Sequence, residues 1–236
     1  MKEIKNIFLL FVFIPTFLFA QSPKDLIETG KAHLESGKLK LAHLSFVKAQ
    51  KMNPSDYDAF YLDGVTLYRL ANYNRSLGAL KKARKINANA ADLDFYTGMC
   101  YLKKRFKRTA LIFFDNAIKR DSSRAEYFHS KGLALYRRKK YNDALKEFYT
   151  ATLKSKPLRE SFLYVGLSNN RMKKYTAAID DFTTCIERYP DYGLAFFNRG
   201  ILKIKVDDEV GACQDLDEAF KLNYQRANKK LNKYCR

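Results

Sequence analysis

One glycine recurs every 34 residues. Gly30, Gly64, Gly98, Gly132, Gly166 and Gly200 stand at an unbroken interval and account for six of the ten glycines in the chain. Glycine inside a helix costs about 1 kcal/mol against alanine, so its regular return within a helical pattern marks a close helix–helix contact. Other positions keep the same step. Ala42, Ser76, Ala110, Ala144, Ala178 and Ala212 form one register, and Phe46, Leu80, Phe114, Phe148, Phe182 and Leu216 a second. Ala49, Ala83, Ala117, Ala151, Cys185 and Ala219 form a third. Length alone allows one or two globular domains. Six equivalent units instead demand one elongated array in which each unit packs only on its neighbours.

The unit is clearest in Ala125–Leu158. Phe128, Gly132, Leu135 and Tyr136 share one face of a first amphipathic helix, and Tyr141, Ala144, Leu145, Phe148 and Ala151 one face of a second. The units run 23–56, 57–90, 91–124, 125–158, 159–192 and 193–226. Asn53-Pro54-Ser55-Asp56 and Asp121-Ser122-Ser123 supply stop and capping chemistry at two of the boundaries. Residues 227–236 continue as a capping helix, with Ala227, Leu231 and Tyr234 on one face and Lys229, Lys230 and Lys233 outside.

The order aromatic or Leu, then Gly, then Ala-x3-Phe-x2-Ala, then Pro resembles the tetratricopeptide repeat, over residues 23–226 without insertion. The fourth position reads Leu26, Phe60, Asp94, Phe128, Phe162 and Phe196 where the family often has Trp, and Pro157 falls one residue late against Pro54 and Pro190. The resemblance implies an all-α, right-handed solenoid that binds a protein or peptide and carries no enzymatic activity. It also implies that the first helix of each unit lines a concave face. The fifth, ninth and twelfth positions then give Tyr61, Val65, Tyr68, Phe95, Met99, Leu102, His129, Leu133, Tyr136 and Asn170 as an apolar, aromatic groove in the middle units. Ile27 and Lys31 occupy places where chaperone-adaptor members need Lys and Asn, so capture of a peptide's terminal carboxylate is not expected.

The formal net charge is +19. The thirteenth position holds a cation in five consecutive units: Arg69, Lys103, Arg137, Arg171 and Lys205. The turns beside them, Lys103-Lys104-Arg105, Lys107-Arg108, Arg137-Arg138-Lys139-Lys140 and Lys173-Lys174, add more, and no acid occurs in 95–114, 127–142 or 161–179. A charge run is usually a solvated face; this one is periodic and uncompensated. It supports an alternative function, the binding of an anionic lipid, a glycan or an acidic partner on a basic ridge. Nucleic acid is not an expected partner.

Met1–Ala20 combines Lys2 and Lys5 with an apolar run over Ile7–Phe19. That is short for a membrane span and fits a cleavable signal peptide cut after Ala20, hence a periplasmic or secreted protein. Leu18 spoils the small-residue pattern, so an uncleaved anchor is the rival reading. In an oxidising compartment Cys213 and Cys235 can pair, because helical spacing puts them level on either side of a turn near Asn223-Tyr224; the alternative is two unrelated thiols. Cys100 and Cys185 lie in helices two units apart and cannot reach each other, and Cys185, at an Ala position, reads as a small buried hydrophobe. His33, His43 and His129 stand without a patterned acid or nucleophile, and no spacing points to a metal or cofactor.

Overall fold

The computed structural model describes residues 22–235. The apolar segment Met1–Ala20 and its expected cut lie outside them. The first helices of the six units are α1 (Pro23–Glu35), α3 (Tyr57–Arg69), α5 (Ala91–Lys103), α7 (Ala125–Arg137), α9 (Arg159–Arg171) and α11 (Gly193–Lys205). The second helices are α2 (Leu39–Met52), α4 (Tyr73–Ile86), α6 (Lys107–Arg120), α8 (Tyr141–Thr152), α10 (Tyr175–Arg188) and α12 (Glu209–Lys221), and α13 (Arg226–Tyr234) closes the array. Each helix packs on the next, and first helices of adjacent units also touch. Among the described residues there is no strand.

The recurring glycine sits where the helix pair comes closest. A Cβ on Gly132 would lie 2.7 Å from Cε1 of Phe148, and one on Gly166 2.7 Å from the same atom of Phe182. The aromatic or Leu of the second helix thus fills the space that the missing side chain leaves. Phe46, Phe114, Phe148 and Phe182 are fully buried, as are the flanking alanines of both small-residue registers. Burial of each such ring contributes about 2–3 kcal/mol. The seam is rebuilt six times from local contacts, which is how a solenoid holds together without a central core.

All six first helices leave the same way. In five of them two amides of the following turn bond back to carbonyls of the last helical turn, as in Arg105 N–H to Leu102 and Phe106 N–H to Tyr101. This closure requires a left-handed residue at its apex. The apices are Gly37, Ala71, Arg105, Lys139, Lys173 and Asp207, with φ of 73°, 59°, 68°, 62°, 61° and 59°. Glycine and Asn are the residues that adopt this conformation at low cost.

One unit departs. α8 has 12 residues against 14 for α2, α4, α6 and α10. The late Pro157 disfavours helix at the residue before it, and Leu153, the C-cap of the shortened α8, is left 69% exposed. At the C-terminus Ala227 is fully buried against Leu216 and Ala219. Cys213 and Cys235 form a disulfide there with a Cα–Cα distance of 5.6 Å, while Cys100 and Cys185 are free and buried.

Candidate functional site: a groove and a basic edge

First helices run from the edge of inter-unit loops to the edge of intra-unit turns, and second helices run back. Between the first helices lies the expected groove. Tyr61, Tyr68, Phe95, Met99, Leu133, Tyr136 and Asn170 are half-buried, each leaving part of its side chain open. Val65, Leu102 and His129 are only 7%, 3% and 8% exposed, so they pack between neighbours rather than line an open surface. His129 Nδ1 lies 2.9 Å from Ser161 Oγ, and burial pushes its pKa down to about 4. It is a neutral packing residue at ordinary pH.

Two residues that the register did not single out close the groove. Tyr96 meets Tyr61 at 6.2 Å and Tyr68 at 5.8 Å, both edge-on, and Tyr164 meets Tyr136 edge-on at 5.4 Å. Both stand at the sixth position, which is Glu28, Leu62, Ser130 and Asn198 elsewhere, so no repeat pattern exposed them. Burial pushes the Tyr68 phenol up to about 12 and raises that of Tyr61 further. Their hydroxyls remain protonated donors.

The five ladder cations are all exposed and none forms an ion pair among the described residues. Their surroundings differ. Arg69 Nη1 donates to the Leu34 carbonyl at 3.0 Å, capping the helix of the unit before, and Arg171 Nε donates to Tyr136 Oη at 3.0 Å. Lys205 Nζ sits 4.7 Å over the Tyr175 ring. Lys103 and Arg137 instead line an open furrow of about 450 Å³ with Leu102, Arg105 and Lys107. Among the described residues of the middle units, Asp143 is the acid that pairs at this edge, 3.9 Å from Lys140 Nζ, while Asp207 and Asp208 make the turn of the sixth unit acidic.

The outer face, between second helices, is governed by the seventh position. Lys131 and Arg199 bridge the second helices on either side there, whereas Asp63 binds His43 and Gln50 of α2 alone. Lys131 Nζ lies 2.9 Å from Asp115 and 2.8 Å from Glu147, and Arg199 binds Asp215 at 2.7 Å. Thr97 and Val165 are too short to do so, and cavities of about 370 Å³ and 470 Å³ open over them.

Two histidines proved to have partners that their isolation in sequence did not reveal. One is the His129–Ser161 pair. The other is His43, whose Nδ1 contacts Asp63 while Arg75 Nη2 lies 2.9 Å from its Nε2. With Nδ1–H directed to Asp63, the Nε2 lone pair accepts from Arg75 and is not free to act as a general base. Among the described residues no group of three or more His, Cys, Asp or Glu is placed to hold a metal, and no helix is long and apolar enough to cross a membrane.

Fold and surface together define an α-solenoid of helix pairs that offers binding faces. Residues 27–91 match the family model described as tetratricopeptide repeat. The register of that unit recurs six times along the chain, which supports assignment to the tetratricopeptide repeats. Among solved structures it is similar to a chain of the APC/C hetero-tetramer Cut9–Hcn1 at 14% identity and TM-score 0.74; the match covers 93% of this chain and 44% of that one, so this chain spans less than half its length. The C-terminal part of a TPR repeat-containing protein from Cytophaga hutchinsonii gives 16% identity and TM-score 0.73, covering 88% of this chain and 87% of that one. YrrB, a TPR protein with an unusual peptide-binding site, gives 21% identity and TM-score 0.62, covering 75% and 91%. These likenesses are of fold. No curated protein matches the sequence.

Proposed function

We propose that the protein is an exported, non-enzymatic scaffold that holds a protein segment in its concave groove, in the assembly of cell-envelope or secretion machinery. One observation carries the reading: a row of half-buried aromatic and apolar side chains from Tyr61 to Tyr136, held by edge-on tyrosine contacts and left partly uncovered. Such a surface gains by burying a partner's apolar side chains and supplies phenol donors to its backbone. That YrrB, similar in fold, is described by a peptide-binding site is in keeping with it. Export rests on the Met1–Ala20 segment. A purified envelope form beginning at Gln21 supports it, and intact Met1 in a membrane fraction contradicts it.

The groove is tested by Tyr68→Ala with Tyr136→Ala in the full chain. A partner that the unsubstituted protein retains in high salt should be lost, because groove burial is insensitive to screening. Equal retention contradicts the reading. A second reading has its own observation, the absence of acidic partners for the ladder cations. It makes the basic edge a site for an anionic envelope component, bound in a salt-sensitive manner.

A further inference from the structure

The turn edge of the third and fourth units carries features that folding does not require. Arg105 stands at a left-handed apex with φ 68°, where the first unit has Gly37, and Lys139 and Lys173 repeat the choice in the next two turns. A long β-carbon side chain there is strained relative to glycine. α6 then begins with Lys107 and Arg108, whose charges oppose the positive end of its own dipole. Its N-cap, Phe106, offers no side-chain hydrogen bond, whereas α4 and α12 are capped by Asn72 and Asp208. Backbone strain, crowded charge and cations at the positive end of the α6 dipole meet on one furrow.

That furrow, of about 450 Å³, is lined by Leu102, Lys103, Arg105, Lys107 and Arg137. Four of its five walls are cationic and none is acidic. Lys107 Nζ donates to the Arg137 carbonyl at 2.9 Å, which fixes one ammonium on the wall. The side chains of Lys103, Arg105 and Arg137 have no hydrogen-bond or ion-pair partner among the described residues. Leu102, nearly buried, forms the furrow floor, and Arg137 on its wall follows Tyr136 of the groove in sequence and lies within electrostatic reach of the Tyr68 and Tyr164 phenols. One extended segment can therefore occupy both.

We propose that this furrow seats carboxylates of an acidic partner segment whose apolar side chains lie in the adjoining groove. The proposal rests on the groove reading above and adds the partner's chemistry to it: apolar residues alternating with Asp or Glu, crossing the turns of units three and four. Continuity with the groove favours a polypeptide over a bilayer surface. Negative side chains would offset the like-charge repulsion on the edge and speed encounter through electrostatic steering.

The test uses the full chain and two fluorescein-labelled peptides of about twelve residues, one alternating Glu with Leu and Phe, the other with every Glu replaced by Gln. The Glu peptide should bind more tightly, and the advantage should vanish in about 1 M salt. Lys103→Gln, Arg105→Gln and Arg137→Gln combined should weaken the Glu peptide about tenfold, from three exposed charge contacts. It should leave the Gln peptide unchanged. Equal binding of the Glu peptide by the triple variant and the unsubstituted chain overturns the proposal, as does equal affinity for the two peptides. Binding only to phosphatidylglycerol vesicles, with neither peptide bound, overturns it in favour of a membrane. The groove reading fails separately, if Tyr68→Ala with Tyr136→Ala alters neither peptide's affinity.

Discussion

The two edges of the solenoid use charge in opposite ways. At the loop edge, cations and acids meet. Asp94 is fully buried between Arg84 and Arg120, each at 2.8 Å, and Asp92 binds Arg124 at 3.0 Å and accepts from Tyr127 Oη at 2.6 Å. The Ser123 hydroxyl and amide hold the Asp121 carboxyl below the usual range. Asp92 and Asp94 lie in the first turn of α5, and Arg84 and Arg120 in the last turns of α4 and α6, so these four charges suit the helix dipoles. At the turn edge the ladder cations suit the first-helix C-termini, but Lys107, Arg108, Lys140 and Lys174 crowd the N-termini of second helices. The difference teaches that loop-edge charge belongs to folding, and that most of the turn-edge charge does not.

Both edges hang on the glycine seam, and the largest effect is expected there. Gly132→Leu drives a side chain into the Phe148 ring and should cost about 3 kcal/mol, whereas Lys146→Leu on the exposed face should change little. Equal melting temperatures for the two would remove the frame on which the comparison stands. Next comes the loop edge itself. Asp94→Ala leaves Arg84 and Arg120 without their shared carboxylate, a loss of about 2–3 kcal/mol. Denaturant titration checks it, and a neutral result would mean that loop-edge pairing is as dispensable as turn-edge charge.

The third prediction concerns pH. His129 has a folded pKa of about 4, lowered from 6.5 by burial. The folded state thus binds fewer protons than the unfolded one below pH 6.5, so His129 contributes stability that is complete above that value and is lost as pH falls toward 4. Stability should drop by about 2 kcal/mol between pH 6.5 and 4.5, and His129→Gln should flatten that slope in urea titrations. A slope unchanged by the substitution would place the titrating group elsewhere. The smallest effect belongs to the turn edge. Arg105→Gly, Lys139→Gly and Lys173→Gly together should raise stability by about 1 kcal/mol through relief of left-handed strain, measured as a modest rise in Tm. A fall would show that these side chains serve the fold after all.

Contacts made in every unit were legible in the sequence, because a 34-residue period reports what each unit must repeat. The glycine–aromatic seam and the helix pairs are of this kind. The level placement of Cys213 and Cys235 followed from helix rise alone. Contacts made once leave no period. Tyr96 and Tyr164 knit the groove from a position that is otherwise variable, and Tyr164 packs edge-on against His129, whose burial therefore could not be read from its register. The contrast of Lys131 and Arg199 with Thr97 and Val165 likewise became meaningful only once the second helices were seen to flank them. The ladder is an intermediate case. Its exposure was legible, but the use of Arg69 and Arg171 as hydrogen-bond donors to the preceding unit depends on side-chain reach across units.

The central claim is that the free turn-edge cations are not part of what holds the protein together. Scanning calorimetry of the Lys103→Glu, Arg105→Glu, Arg137→Glu variant tests it most directly. These three avoid the donors Arg69 and Arg171. Reversing them relieves repulsion on the edge and puts negative charge near the N-terminus of α6, where the dipole favours it. The account predicts a Tm equal to that of the unsubstituted chain or a few degrees higher, at about 2–4 °C for each kcal/mol. A fall of about 5 °C or more, by the same conversion, would contradict it.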